Sequence, residues 1–281
     1  MTVRHALVLG GGGVAGIAWM TGLLAGLADA GDDVTSADVI IGTSAGATVA
    51  AQLGSGLALA DLFARQAEPT MQSAEITAQV DLATFGAEIG ALLTGATSPE
   101  ETLRRVGAYA LQAQTVPESA RRAVIESRLP SHDWPARDLR LTAVDAQTGD
   151  LRVFDARSGV PLVDAVAASC AVPGIWPPVT IEGRRYVDGG VRSSDNADLA
   201  AGAQRITVIS PLGYDSPLPS PLPLRDVVAR LRDAGSEVTV VGPDAASRAA
   251  IGVNPLDPAT RTPAASAAGP ASAVRADGAV G

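Results

Sequence analysis

Short apolar runs alternate along the chain with longer stretches of helical character. Each run is almost continuously apolar, which is typical of strands that are buried on both faces of a parallel sheet. The stretches between them, such as Ile17–Ala30 and Ala45–Gly54, have the length and spacing of helices. The pattern predicts an α/β fold in which a central, mostly parallel sheet is covered by helices on both faces. The predicted strands are His5–Gly10, Asp38–Gly42, Leu139–Val144, Arg205–Ser210 and Glu237–Gly242.

The segment Leu57–Leu129 interrupts this alternation because it carries helical patterns only. Ser98 and Thr115 each stand shortly before a proline and a glutamate, in the arrangement of a helix N-terminus. We therefore predict a helical insertion over about residues 57–129. It is either a cap over a site or a set of extra helices packed on the sheet.

The later part of the chain contains a hairpin and a low-complexity tail. Val179–Glu182 and Arg184–Val187 predict two antiparallel strands that turn at Gly183. From about Pro263 the residues are mainly Ala, Gly, Ser and Pro without periodicity, a composition typical of disorder. We therefore expect one domain over residues 1–262 and a disordered tail over residues 263–281.

Composition and charge exclude several classes of function. Of the 281 residues, 47% are hydrophobic, which is enough for a sizeable core. Acidic residues outnumber basic ones by 30 to 21, and the net charge of −9 disfavours nucleic acid as a partner. A single cysteine, Cys170, and two histidines cannot form a disulfide framework or a conventional zinc site. No apolar run is long enough for a signal peptide or a membrane span, so we expect a cytoplasmic protein without a transmembrane segment.

A run of glycines follows the first predicted strand and opens the first predicted helix. It contains the pattern G-x-G-x-x-G at Gly11, Gly13 and Gly16, which suggests dinucleotide binding. That function requires an acidic residue at the carboxyl end of the next strand, whereas the nearest acidic residue, Asp38, lies at its amino end. A dinucleotide-binding oxidoreductase is therefore the less favoured alternative.

The second motif, G-T-S-A-G, occupies the turn between the second predicted strand and its helix. This is the context of a nucleophile elbow, a sharp turn that exposes the hydroxyl of its serine, here Ser44. Gly42 and Gly46 remove side chains where the strand, turn and helix would otherwise crowd. The N-terminus of the following helix adds partial positive charge where an anion would develop. Ser44 is therefore the candidate nucleophile.

The glycine run fits beside such a nucleophile as an oxyanion hole. Attack of a serine on an ester produces an oxyanion, and unobstructed backbone N–H groups can donate hydrogen bonds to it. Gly11, Gly12 and Gly13 supply N–H groups of this kind. The run then binds an oxyanion rather than a phosphate.

A serine nucleophile also needs a base. His5 and His132 both precede predicted strands, so they belong to the edge of the sheet away from Ser44, and we expect structural roles for both. A carboxylate must then serve, and the candidate is Asp188 at the end of the predicted hairpin. Gly189 and Gly190 follow it. Taken alone, Asp-Gly-Gly is typical of a turn.

The glycine run, the G-x-S-x-G turn and the later D-G-G occur in an order that resembles the patatin-like phospholipase family. The segment Ala168–Pro178 resembles the A-S-x-x-x-P block of that family. The resemblance extends roughly from Ala6 to Leu212. It implies lipid acyl hydrolysis by a Ser–Asp dyad, with no metal or other cofactor and a lipid ester as the partner, met through transient contact with membrane surfaces. By resemblance, Ser44 is the nucleophile and Asp188 its base, and the oxyanion donors are Gly12 and Gly13.

One departure from the family bears on the substrate. Many members carry Arg or Lys two residues after the last glycine of the oxyanion run, where this chain has Ala15. Without that positive charge, a neutral ester remains as plausible a substrate as a phospholipid or lysophospholipid. Arg192, four residues after Asp188, is a candidate for a replacement charge, but we expect it to be solvated. A catalytically silent lipid-binding or regulatory protein of the same fold is the other alternative, and the oligomeric state stays open.

Overall fold

The computed structural model describes residues 3–78, 82–214, 220–268 and 273–275. The strands in this part form a nine-stranded sheet in the order β5-β6-β3-β2-β1-β7-β8-β9, with β4 also paired to β3. Their bounds are β1 His5–Leu9, β2 Val39–Thr43, β3 Asp138–Asp145, β4 Leu151–Phe154, β5 Val179–Ile181, β6 Arg184–Asp188, β7 Arg205–Ile209, β8 Glu237–Pro243 and β9 Ala273–Arg275.

The middle of the sheet is parallel, as predicted. Strands β3, β2, β1, β7 and β8 pair in parallel with their neighbours, and they coincide with the five apolar runs of the sequence. The hairpin β5–β6 turns at Gly183 as expected. The sequence analysis missed β4 and β9, two short antiparallel strands that flank β3 and β8.

Helices cover both faces of the sheet. Successive residues of β1 point to opposite faces, so Leu7 and Leu9 join one core while Ala6 and Val8 join the other. The first core packs under α1, α2, α7 and α10, and the second under α8. The helices are α1 Gly13–Asp29, α2 Ala45–Leu53, α3 Leu59–Ala67, α4 Leu82–Leu93, α5 Pro99–Gln112, α6 Glu118–Arg128, α7 Leu162–Ser169, α8 Leu224–Asp233, α9 Ala245–Ile251 and α10 Arg261–Ala267.

The segment between α2 and β3 is helical, as predicted. Helices α3 to α6 lie there, together with a short 3-10 turn at Pro69–Met71. The Ser98 side chain accepts a hydrogen bond from the Glu101 N–H and so caps α5, whose first residue is Pro99. Among the described residues, no helix is both long and apolar enough to cross a membrane.

The expectation of disorder from residue 263 onwards is wrong for two stretches. Helix α10 continues to Ala267, and its Ala264 and Ala265 are fully buried against α1. Residues 273–275 form β9 at the edge of the sheet. Small residues pack closely between helices, so an Ala-rich composition did not by itself indicate disorder here. Residues 269–272 and 276–281 lie outside the described residues.

Candidate active site

The sheet brings the ends of β2 and β6 together. Residues 138–142 of β3 pair with β2, and residues 143–145 pair with β6. Because β4 occupies the opposite edge of β3 over residues 141–144, β6 lies on the same edge as β2 and continues where β2 stops. Thr43 is the last residue of β2 and pairs with Thr142, while Asp188 is the last residue of β6 and pairs with Ala143. Ser44 follows Thr43, so Ser44 and Asp188 meet.

Ser44 occupies a tight turn between β2 and α2. Its backbone angles are φ 55° and ψ −115°, which residues other than glycine rarely adopt. Such strain is expected of a nucleophile elbow. Glycine is required at position 46 because a Cβ there would lie 1.9 Å from the Leu9 carbonyl oxygen. At position 42 a Cβ would lie 2.7 Å from the Ala47 Cα. The Gly46 N–H donates to the Gly10 carbonyl at 3.0 Å and ties the turn to the glycine run.

Asp188 is 4% exposed and sits directly beside the serine. Burial raises the pKa of its carboxyl from 3.8 to about 7, and it outweighs hydrogen bonds from the Ser44 hydroxyl and the Gly190 N–H, which act in the opposite direction. The Gly190 N–H lies 2.8 Å from Asp188 Oδ1. Gly189 packs on β3, where an added Cβ would lie 2.4 Å from Thr142 Oγ1. The D-G-G turn therefore holds a carboxyl group that titrates near neutral pH.

The structure of the glycine run shows that one of the three predicted oxyanion donors is wrong. The Gly11 N–H donates to the Ser194 carbonyl at 2.8 Å, so it is already occupied. Gly12 and Gly13 stand at the N-terminus of α1, and within the described residues no acceptor pairs with either N–H. Gly13 has φ +62°, and a Cβ there would lie 2.4 Å from the Pro255 carbonyl oxygen. Gly16 supports the run because its N–H donates to the Gly12 carbonyl at 2.7 Å, at the start of α1.

The segment Ala168–Pro178 joins the two predicted dyad residues through its backbone and side chains. Ser169 Oγ accepts a hydrogen bond from the Ser44 N–H at 2.9 Å. The Ala171 carbonyl accepts the Asp188 N–H at 3.0 Å. Buried Cys170 donates from Sγ to the Ser44 carbonyl at 3.2 Å. The sequence analysis singled out this segment by its resemblance to the A-S-x-x-x-P block, and these contacts give the segment a structural role beside Ser44 and Asp188.

Asn196 is a residue that the sequence analysis missed. Its side-chain nitrogen donates to Thr43 Oγ1 at 3.1 Å, to the Gly189 carbonyl at 3.1 Å and to the Ser193 carbonyl at 2.8 Å. Asn196 is fully buried and has φ 48°, a left-handed conformation that asparagine tolerates well. It clamps β2 to the D-G-G turn. Its place eight residues after Asp188 gave no local signal of that contact.

Asp195, which precedes Asn196, is a second buried residue that the sequence analysis missed. It is 1% exposed, and burial raises the pKa of its carboxyl to about 7, against a hydrogen bond from Ser210 that acts in the opposite direction. A Cβ on Gly10 would lie 2.1 Å from Asp195 Oδ1, so the carboxyl packs directly against the backbone of the glycine run.

The remaining candidate charges lie away from the site or are paired. His5 begins β1, where burial lowers the pKa of its imidazole and Nε2 bonds Thr207 Oγ1 at 3.0 Å. His132 is exposed and precedes β3. His5 thus lies at the amino end of a parallel strand, roughly 15 Å from the Ser44 edge, and His132 Nε2 bonds the Glu126 carbonyl at 3.1 Å in the loop before β3. Arg192 is not solvated as expected, because its guanidinium forms a two-bond ion pair with Asp198 at 2.7 and 3.0 Å.

A cavity with an empty volume of about 350 Å³, its opening to solvent included, adjoins Ser44. Gly13 and Ala45 line it from the first turns of α1 and α2. Its apolar walls include Val172 and Trp176.

A strand that ends in a strained serine turn, a glycine run at a helix N-terminus and an Asp-Gly-Gly carboxyl now lie together. Over residues 7–201 the chain matches the family model described as patatin-like phospholipase. The chain belongs to the patatin-like phospholipase family. Members of this family are generally lipid acyl hydrolases. The β2 strand of this member ends without an acidic residue, at Thr43.

Two solved structures match this chain at low similarity. One is VipD from Legionella pneumophila, with 12% identity over 74% of this chain and 50% of that chain, at a TM-score of 0.40. The other is the type III effector protein ExoU, with 14% identity over 94% of this chain and 52% of that chain, at a TM-score of 0.36. The chain thus spans about half the length of either protein. No curated protein sequence matches it. The family assignment rests on the family model alone.

Proposed function

We propose that this protein hydrolyses carboxylic esters of lipids, with Ser44 as nucleophile and Asp188 as general base, and that it serves lipid breakdown. The observation that carries the proposal is the position of Ser44, in its strained turn, beside a buried carboxyl whose pKa is raised to about 7. A base with such a pKa is half ionised at neutral pH and still basic enough to be useful. Family membership supports a lipid as the substrate.

Acylation follows from this arrangement. Asp188 takes the proton from Ser44 Oγ as Oγ attacks the carbonyl carbon of the ester, and the carbonyl oxygen becomes an oxyanion. The N–H groups of Gly12 and Gly13 are the proposed donors to that oxygen. The Ala45 N–H, at the start of α2, is a third, since none of the described residues accepts its hydrogen bond. Collapse of the intermediate releases the alcohol, which receives the proton from Asp188, and leaves the acyl group on Ser44.

Deacylation reverses these roles. Asp188 removes a proton from a water molecule, whose oxygen attacks the acyl carbonyl carbon. The same donors hold the second oxyanion. The bond to Ser44 Oγ then breaks, the fatty acid leaves, and Oγ recovers the proton from Asp188. Transient contact with membrane surfaces and a cytoplasmic location stay predictions.

Labelling with a fluorophosphonate tests the proposal. We expect a single adduct, on Ser44, located by mass spectrometry of the labelled peptide, and release of fatty acids from a lipid extract. Ser44→Ala should abolish both. Asp188→Asn keeps the side-chain shape without a proton acceptor, and it should lower turnover by at least about 100-fold.

The two histidines provide the matched controls. His5→Gln and His132→Gln should keep most of the activity, because both lie at the far edge of the sheet. An adduct on another serine would contradict the proposal. So would an inactive His132→Gln variant with unchanged circular dichroism. Labelling of Ser44 without any release of fatty acid would favour the catalytically silent alternative.

A further inference from the structure

Helix α6 of the insertion turns two arginines inward. Its buried residues are Arg121, Ile125 and Arg128, which are spaced so that they share one face. Both arginines line the cavity that adjoins Ser44, and so does Glu75 from the segment after α3. No other lining residue is charged. The charge at this wall of the cavity is therefore positive by one unit.

The two arginines differ in their partners. Arg128 forms a two-bond ion pair with Glu75, from Nε to Oε1 at 2.7 Å and from Nη2 to Oε2 at 2.6 Å. Both carboxylate oxygens of Glu75 are thereby engaged. Arg121 Nη1 lies 3.7 Å from Glu75 Oε2, beyond hydrogen-bond distance. Arg128 takes both hydrogen bonds of the carboxylate, while Arg121 has only the longer ion pair, so two guanidinium charges share one carboxylate.

Arg121 has unused donors despite its burial. Its side chain is 7% exposed, and within the described residues neither Nε nor Nη1 has a hydrogen-bond partner. The guanidinium carbon lies 3.9 Å from the ring centroid of Trp176, which fixes the plane of the group without satisfying its N–H groups. Burial and the neighbouring Arg128 lower the pKa of Arg121 to about 10, so the group is still charged at neutral pH. Buried N–H groups without an acceptor are costly to a protein unless something binds them.

We propose that Arg121 is a specificity-determining residue that binds an anionic phosphate group on the alcohol part of the ester, while Ser44 attacks the acyl carbonyl in the same cavity. A guanidinium offers planar, charge-assisted hydrogen bonds that suit phosphate oxygens. A phosphodiester carries one negative charge, which balances the net charge of +1 that Arg121, Arg128 and Glu75 give the cavity. The inference rests on the proposed ester hydrolysis for its reaction and on Arg121 alone for its selectivity.

This assignment changes the expectation drawn from Ala15. Position 15 carries no charge and is fully buried, with its N–H bound to the Pro255 carbonyl at 3.0 Å. The charge that the glycine run lacks is supplied instead from α6, more than a hundred residues later. The chain should therefore prefer anionic esters to neutral ones.

The test compares two esters with the same acyl chain. They are 1-oleoyl lysophosphatidylglycerol, which bears one phosphodiester, and 1-oleoylglycerol, which is neutral. We expect wild type to prefer the phosphodiester ester, and Arg121→Met to lower its kcat/KM by about 10-fold to 100-fold, chiefly through KM. Methionine keeps an apolar stem against Trp176, so kcat/KM for the neutral ester should change little.

Two further variants separate charge from shape. Arg121→Lys keeps the positive charge without the planar guanidinium, and it should recover part of the lost kcat/KM for the phosphodiester ester. It also replaces Arg121→Met if that variant does not fold. Arg104→Met removes an exposed arginine from α5 and should leave both esters unaffected. An equal loss on both esters with Arg121→Met would overturn the proposal, since a purely structural arginine would act in that way.

A binding measurement decides the inference independently of catalysis. The ether analogue of the lysophosphatidylglycerol cannot be hydrolysed, so its affinity for Ser44→Ala protein is measured by calorimetry, with and without Arg121→Met. At least about tenfold weaker binding in the double variant supports the inference even where no ester is cleaved and the proposed function fails. Equal affinities would overturn it. Inorganic phosphate that binds as tightly as the ether analogue would also overturn it, because the site would then hold a free anion.

Discussion

At the level of single residues, the proposed mechanism requires Asp188 to accept a proton at neutral pH, which a carboxylate in water does poorly. Two hydrogen bonds stabilise its charged form, and burial destabilises it more strongly. The net effect raises the pKa to about 7. A nearby histidine is then unnecessary, which fits the position of His5 and His132 at the other edge of the sheet.

This balance predicts the pH dependence of activity. Only ionised Asp188 accepts a proton, so kcat/KM should rise with pH and level off above a midpoint near 7. The measurement is kcat/KM of a neutral ester from about pH 5 to about pH 9, with circular dichroism at each pH as the control for folding. A kcat/KM that stays level over this range, as a carboxyl with the ordinary pKa of about 4 would give, would contradict control by a carboxyl with a raised pKa.

At the level of elements, the site is a junction of strand ends held by one amide. Asn196 donates to β2 through Thr43 and to the D-G-G turn through Gly189. Ser44 directly follows β2, and Asp188 is the first residue of the D-G-G turn. Their separation therefore depends on a contact that neither of them makes.

We predict that Asn196→Ala loosens this junction. Loss of its buried donors should lower the free energy of unfolding by about 1–3 kcal/mol, measured by urea denaturation. The remaining folded protein should show a lower kcat with little change in KM, and a displaced midpoint in its pH profile, because the surroundings of Asp188 change. Gln204→Ala, which removes an exposed amide, is the matched control. An unchanged kcat and pH midpoint would assign Asn196 to stability alone.

At the level of the whole molecule, the C-terminal helix is part of the fold. Arg261, which begins α10, is 4% exposed and donates to the Ser73 carbonyl at 2.9 Å and to Gln66 Oε1 at 3.1 Å. It thereby supports the segment that carries Glu75 to the cavity. The helix and the cavity wall are thus mechanically connected.

Truncation tests this connection. A chain that ends at residue 260 loses the buried alanines of α10 and the bonds of Arg261. We expect it to unfold at a markedly lower temperature than the full chain, or to fail to fold, because burial and several hydrogen bonds are lost together. A chain that ends at residue 275 keeps α10 and is the control, with an expected melting temperature close to that of the full chain. Equal melting temperatures for all three chains would contradict this role of α10.

The parallel strands, the serine turn, the glycine run and the D-G-G carboxyl were all readable from short windows of sequence. Strand and helix periodicity depend on neighbouring residues, and so does turn chemistry, which is why Ser44 and Asp188 could be selected before any contact was known. The occupied N–H of Gly11 was not readable, because its acceptor, Ser194, lies far along the chain.

Other features were decided by tertiary structure alone. Helix α6 turns two arginines inward, against the usual rule that charged residues face solvent, and only the approach of Glu75 and Trp176 makes that burial tolerable. Asn196 reaches Thr43 across 153 positions of sequence. Burial and pairing between distant segments are properties of the packed chain. Local pattern therefore indicated the candidate reacting groups, while packing set the pKa of the proposed base, the free N–H donors and the charge of the cavity.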